Sequence, residues 1–243
     1  MLDSTNTEAL RLANQGDQGA LWIVADTQTE GRGRHGREWQ SFKGNLFTSL
    51  LLINPCDIVL ASQLGFLASL SLHDALCEIT QLSPSRFTLK WPNDILCDGA
   101  KCAGVLLEAH RLSHNNALGL IIGIGVNVAQ APQNTPYRAT ALSNHMVIDT
   151  MTIRKLFTAL SNAFSKRFIE WHDVRLGFSA IRHEWLKFAA GIGQEITIRT
   201  PQKEKTGVFQ AIDAYGRLIL HIKGADQPEY IDAGDLFFKD HNT

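Results

Sequence analysis

Between Gly31 and Trp39 the chain reads Gly-Arg-Gly-Arg-His-Gly-Arg-Glu-Trp, glycines alternating with arginines and an indole at the end. Glycine lets backbone N–H groups turn toward one point, and each guanidinium adds a planar fork of donors that matches phosphate or carboxylate. The segment reads as an anion-binding loop. Its glycine spacing also fits the dinucleotide fingerprint G-x-G-x-x-G, behind a strand candidate at Leu21 to Ala25. In that motif the third glycine opens a helix, whereas Arg37 to Asn45 has no apolar period of 3.6 and a further glycine, Gly44. A Walker loop would end in Gly-Lys-Ser/Thr, which is absent. A plain solvated basic turn fits three arginines and three glycines less well than an anion site.

The elements around this loop must carry its partners. Thr5 to Gln15 repeats Ala9, Leu10, Leu12 and Ala13 at helical spacing, with Thr5 and Glu8 in a capping-box arrangement and Gly16 as terminator. Helix capping is therefore the plain alternative role for Ser4, Thr5 and Asn6. Strands are expected at Leu21 to Ala25, Leu46 to Ile53 and Phe87 to Lys90, and a core helix over Ala61 to Ile79. The run from Asp94 to Glu108 contains Asp98-Gly99, a hairpin signal that puts Lys101 near a turn. Leu118 to Val128 is an apolar strand holding Gly119, Gly123 and Gly125, where missing side chains admit backbone or ligand, and Asn127 near its end. Ala129 to Asn144 reads as a long loop of the kind that forms lids. Helices fit Ile153 to Trp171 and Arg175 to Phe188. Beyond Gly193 short alternating strands follow at Glu195 to Arg199, Thr206 to Ala214, Gly216 to Ile222, Glu229 to Asp232 and Leu236 to Lys239, which suggests a small β-barrel.

Composition narrows the function classes. The chain has 243 residues, 44% of them hydrophobic, with 23 Lys plus Arg against 24 Asp plus Glu, so no global field draws it to nucleic acid or membrane. No stretch reads as the roughly 20 apolar residues that span a bilayer, and Met1 to Asn6 lacks a signal region, so a cytoplasmic protein is expected. The four cysteines form no C-x-x-C pair and read as buried reduced thiols. His110 and His114 lack the Glu of a metalloprotease helix, and no dedicated protein ligands for a metal are expected.

Asp3-Ser4-Thr5-Asn6, Gln28 with Gly31 to Trp39, Lys90-Trp91-Pro92-Asn93-Asp94, Lys101-Cys102-Ala103-Gly104 and Gly123 to Asn127 stand in an order and spacing that resembles the biotin protein ligases. The resemblance covers almost the whole chain. It implies an α+β fold: a mixed-sheet catalytic domain over residues 1–189, similar to class II synthetases and lipoate ligases, and an SH3-like β-domain over residues 190–243. It also implies a reaction in two steps. Biotin and ATP give biotinyl-5′-AMP and pyrophosphate; a lysine of a biotin carboxyl carrier protein, the acceptor domain of acetyl-CoA carboxylase, then takes the acyl group.

Residue by residue, the resemblance makes Lys101 the catalytic lysine bridging biotin carboxylate and α-phosphate, and Arg34 the residue holding the adenylate. It sets Gly31, Arg32, Gly33 and Gly104 along the biotin tail, and Ser4, Thr5, Asn6 and Gln28 around the ureido ring. Arg37, Trp39, Lys90, Asn93 and Asn127 fall on the ATP side, with Mg²⁺ held mainly by phosphates. Asp94 either orients the incoming lysine or caps the hairpin, the first being preferred. His35 departs from the family loop and receives no role. Relatives with repressor activity carry a preceding DNA-binding domain, so no DNA partner is expected here; a homodimer stays open. A lipoate ligase or octanoyl transferase is the alternative enzyme, and a nucleic-acid-associated binding module the alternative of another class.

Overall fold

The computed structural model describes residues 1–173, 175, 177–200 and 203–238. Helix α1 (Thr5–Asn14) begins at Ser4, whose Oγ accepts from Asn6 N at 3.2 Å. The cap is thus Ser4 rather than the expected Thr5, which leaves the Thr5 hydroxyl for other partners. Strands β1 (Leu21–Ala25), β2 (Leu46–Ile53), β3 (Phe87–Lys90), β4 (Asp94–Cys97), β5 (Ala100–Arg111) and β6 (Leu118–Val126) form one sheet in the order β1-β2-β6-β5-β4-β3. Every ladder between these strands is antiparallel, and isolated parallel bridges join Leu2 to Gln28, Leu89 to Ala189 and Lys101 to Ala139. Asp98 (φ 49°) and Gly99 (φ 77°) make the expected tight turn between β4 and β5.

Side-chain alternation gives the sheet two different faces. Leu50, Leu52, Ile122 and Ile124 join the main core with helix α2 (Ala61–Thr80), backed by α3 (Thr152–His172) and α4 (Gly177–Lys187). The other face meets α1 through Leu51, Ile121, Ala9 and Ala13. Farther along this second face β6 presents Gly123 and then Gly125, on which the Asn6 carboxamide and the Trp39 ring lie. Contrary to expectation, one segment, Ile58–Thr80, is long and apolar enough to cross a membrane by length and composition. It contains α2, whose Leu64, Leu67, Leu70, Leu72 and Leu76 are fully buried in the core, and that burial accounts for its apolar character.

The C-terminal strands β7 (Glu195–Arg199), β8 (Glu204–Ile212), β9 (Leu218–His221), β10 (Glu229–Ile231) and β11 (Asp235–Phe238) form a five-stranded antiparallel sheet in the order β10-β9-β8-β7-β11. Lys239, expected to end the last strand, lies outside the described residues. The Trp91 indole donates to Gly216 O at 3.2 Å and Gln63 of α2 to Ala214 O at 2.8 Å, tying the turn between β8 and β9 to α2 and to the turn after β3. Residues 129–141 hold no helix or strand, as a long loop requires, and Leu142–Asn144 forms one turn of 3₁₀ helix.

Candidate active site

A cavity of about 230 Å³ opens on the glycine-bearing face of the sheet, roofed by the loop from Arg32 to Trp39 and closed at one side by β11. One end is a web of hydrogen bonds among uncharged side chains, backed by the Glu108 carboxylate. Gln28 Oε1 accepts from Thr5 N at 2.8 Å and from its hydroxyl at 3.2 Å, while the Ser49 hydroxyl lies 2.7 Å from Thr5 Oγ1 and 2.5 Å from Asn6 Oδ1. Ser4, Thr5 and Asn6 are all about 3% exposed. Asn6 lies flat on Gly123, where a Cβ would collide with its carboxamide.

The other end is cationic. Lys101 Nζ stands 2.6 Å from Asp94 Oδ1, with the Trp39 and Tyr137 ring centroids 5.4 and 5.3 Å away. A register shift in the β4–β5 ladder places it there: Ile95 pairs with Ala103 but Leu96 with Lys101, so Cys102 is an extra residue. Cys102 and Ala103 both turn into the core, and Lys101 is left on the same face as Asp94 and Gly104. The bulge is braced from outside the cavity. Asn127 N donates to Cys102 O at 2.8 Å, and Lys101 exchanges backbone bonds with Arg138 and Thr140 of the long loop.

Trp39 covers the middle. Its indole lies over the cross-strand pair Gly104–Gly125, at positions where a Cβ on either glycine would meet the ring. Its Nε1 is buried with no partner among the described residues. Arg32 forks onto Glu108, with Nε and Nη2 at 3.2 and 3.0 Å from the carboxylate and Nη1 at 2.7 Å from Thr7 Oγ1. Arg34 donates to Gly234 O at 3.0 Å, and Arg37 pairs with Asp235, so the loop is pinned to the C-terminal sheet. Burial lowers the pKa of Arg34 against the opposing pull of Asp235 and Asp94. Lys90 is likewise lowered by burial, which outweighs the attraction of Asp94, and its Nζ lies 5.9 and 5.6 Å from the rings of Phe237 and Phe238.

The cavity thus gathers Ser4, Thr5, Asn6, Gln28, Arg32, Gly33, Arg34, Arg37, Trp39, Lys90, Asn93, Asp94, Lys101 and Gly104 from distant parts of the chain. Gly31 lies behind the wall, in space a Cβ could not share with Ser41 Oγ and Trp39 O. Asn127, expected on the ATP side, does not line the cavity; its Nδ2 donates to Thr140 O at 3.2 Å. Sequence reasoning passed over Ser49, Glu108, Tyr137 and Asp235. The signal for the first two was a polar residue within a strand, and for Asp235 there was none. Three carboxylates line the cavity: Asp94 pairs with Lys101 and Asp235 with Arg37, and Glu38 belongs to the roof loop. Away from it, ligand atoms of Cys97, Asp98 and His145 lie within 4.8 Å of one another, but the Arg86 guanidinium already sits against Asp98 and, at 3.2 Å, against His145 Nδ1.

Residues 1–127 match the biotin/lipoate A/B protein ligase family, and residues 191–239 the biotin protein ligase C-terminal domain. The chain belongs to the biotin/lipoate A/B protein ligase family. Within it, the chain is 37% identical to the biotin–[acetyl-CoA-carboxylase] ligase of Paracoccus denitrificans, over 97% of each chain. It is 33% identical to the bifunctional ligase/repressor of Bacillus subtilis, covering 90% of this chain and 67% of that one. Among solved structures, the Aquifex aeolicus biotin protein ligase in complex with biotin and ATP superimposes with a TM-score of 0.79 at 28% identity, covering 97% of this chain and 94% of that one. The α+β architecture expected from sequence is that of this ligase family.

Proposed function

We propose that the protein is a biotin protein ligase, which activates biotin with ATP and passes the biotinyl group to a lysine of a biotin carboxyl carrier protein. The observation that carries this reading is the division of one cavity into an end of hydrogen-bonding side chains and a cationic end that holds Lys101, with Trp39 over the middle. Biotin has that polarity: a ureido ring with N–H donors and a carbonyl acceptor, an apolar tail and a terminal carboxylate. Ser4, Thr5, Asn6 and Gln28 serve the ring, where an unpaired buried polar group would cost about 1–3 kcal/mol. Gly104, Gly33 and Arg32 serve the tail.

In the first step a carboxylate oxygen forms a bond to the α-phosphorus and the bond to the bridging oxygen breaks, releasing pyrophosphate. Negative charge gathers on the phosphoryl oxygens. Lys101 and Arg34 oppose it, and a unit charge about 4 Å away is worth about 4 kcal/mol at an effective dielectric of 20. Lys90, Arg37, Trp39 and Asn93 hold the nucleotide. With Asp94 held by Lys101 and Asp235 by Arg37, Mg²⁺ fits best as an ion carried by the phosphates. In the second step the carrier amine attacks the acyl carbon, loses a proton and expels AMP. Asp94 would receive that amine, its carboxylate held by Lys101. The roof of arginines and Trp39 keeps water from the mixed anhydride.

Residues 1–189 and 190–243 are proposed as the two domains, the second supplying Asp235 to hold the roof. A carrier domain and cytoplasmic residence follow from the same reading, and a homodimer is compatible with it. Incubation with biotin, ATP, Mg²⁺ and a carrier domain should raise the carrier's mass by one biotinyl group. No gain from a folded preparation would defeat the proposal. A lipoate ligase is disfavoured by the ring-end web, since a dithiolane leaves its donors and acceptors unpaired; lipoate should compete poorly with biotin.

A further inference from the structure

Glu108 joins the two halves of the cavity wall. It follows Gly104 and Leu106 along β5 on the cavity face, and one carboxylate serves two distant segments. Oε2 accepts from Asn6 Nδ2 at 2.7 Å and from Arg32 Nη2 at 3.0 Å, and Oε1 accepts from Arg32 Nε at 3.2 Å. At its other end the Asn6 carboxamide takes the Ser49 hydroxyl on Oδ1 at 2.5 Å, above Gly123, which faces Ser49 across the β2–β6 ladder.

A carboxamide turned by 180° exchanges its oxygen and nitrogen with almost no change of shape. Beside Glu108 that reversal would bring two acceptors together and leave the carboxylate short of a donor. The carboxamide is therefore held with a spare lone pair beside Ser49 and a spare N–H beside Glu108, in a fixed order. A ring that brings an N–H to the first and an acceptor to the second is satisfied; an apolar ring leaves both buried groups unpaired.

We propose that Glu108 is a specificity-determining positioning residue, which selects a ureido ring by fixing the orientation of the Asn6 carboxamide. This rests on the reading of the cavity as a biotin site. Glu108→Gln is the informative variant, because a glutamine keeps the size and can turn its own amide to meet either orientation of Asn6. Biotin affinity, read by calorimetry on the full chain, should fall about tenfold or more, from the unmatched buried groups. The KM for biotin should rise in step while kcat at saturating biotin stays within about threefold, the mark of lost uniform binding. Weak competition by lipoate should not change, so the preference for biotin over lipoate shrinks.

Loss of the Arg32 pair is the rival explanation. In an Arg32→Gln background, Glu108→Gln should still cost most of its effect; no further loss there overturns the proposal. Ser49→Ala loosens the same carboxamide from its other end and should give the same loss confined to KM, which keeps the test open if Glu108→Gln folds poorly. Wild-type protein that binds no biotin would defeat the ligase reading itself. Wild type that binds biotin alongside Glu108→Gln or Ser49→Ala variants within about twofold of it would defeat only this inference.

Discussion

Lys101 Nζ meets Asp94 Oδ1 at 2.6 Å because the β4–β5 ladder carries one residue too many. Without Cys102 as the extra residue, Lys101 would oppose Cys97 and point into the helix-covered core. With it, Lys101 opposes Leu96, shares the cavity face with Asp94 and Gly104, and has its backbone clamped by Arg138 and Thr140. A bulge next to a reactive side chain is a recurrent device for aiming it.

Replacing that ammonium should separate binding from chemistry. Lys101→Met is expected to slow pyrophosphate release about a hundredfold or more, from the loss of a close charge opposite the developing one. Biotin binding should change little, since the ring end is untouched. A pyrophosphate-release assay beside a biotin titration checks both, and undiminished release would remove Lys101 from the chemistry.

Lys90 illustrates a cost in stability accepted for a charge in the site. Burial holds its pKa below the ordinary 10.5, so between the folded value and 10.5 the unfolded chain binds more protons and stability rises with pH. At neutral pH the buried ammonium is a net cost. Lys90→Met should raise the melting temperature by a few degrees, corresponding to about 1 kcal/mol, flatten the alkaline rise and increase the KM for ATP. Melting curves taken from pH 7 upward test the sign; a lower melting temperature in the variant would contradict it.

Asp235 pins the roof from the C-terminal sheet through Arg37 and, at 3.9 Å, Arg34. The pair is partly solvated, so Asp235→Ala should free the loop by about 1 kcal/mol, a factor of about five in its opening. The expected signature is leakage: more ATP consumed per carrier modified, and faster proteolysis between Gly31 and Trp39. An unchanged ratio of AMP formed to biotinylated carrier would show that this contact does not govern closure.

Gly123 is required for the space it leaves rather than for its backbone angles. A methyl there would displace Asn6, whose carboxamide is bound on both sides. Gly123→Ala should therefore weaken biotin binding about tenfold or more and cost about 1–3 kcal/mol in stability as the overpacked strand adjusts. Calorimetry and denaturant unfolding on one preparation give both values, and an affinity equal to wild type would refute the close packing.

Much of this was legible beforehand. Alternating arginines and glycines marked an anion loop, and the rejection of a following helix holds in the structure, where a short turn at Arg34–Gly36 leads into extended chain. Asp98-Gly99 marked the hairpin, because few residues but glycine and Asn or Asp accept its positive φ values. Glu108 and Ser49 were hidden because a polar residue in a strand carries no sign of its distant partners. Asn127 was misplaced for the opposite reason: its motif sits beside the cavity, but its amide is spent on Thr140.

Residue types and spacing thus determined which groups this protein brings to its chemistry, and where the chain turns, since both depend on local sterics and short-range periodicity. The tertiary structure alone decided which face each group occupies and which distant partner holds it. Strand alternation has a period of two, so one unpaired residue, Cys102, moves Lys101 from the core to the cavity, and nothing in the order of residues announces it. The Arg37–Asp235 and Asn6–Glu108 contacts likewise exist only once two sheets and a helix have packed, because hydrogen bonds between residues so far apart in the chain are set by packing and not by pattern.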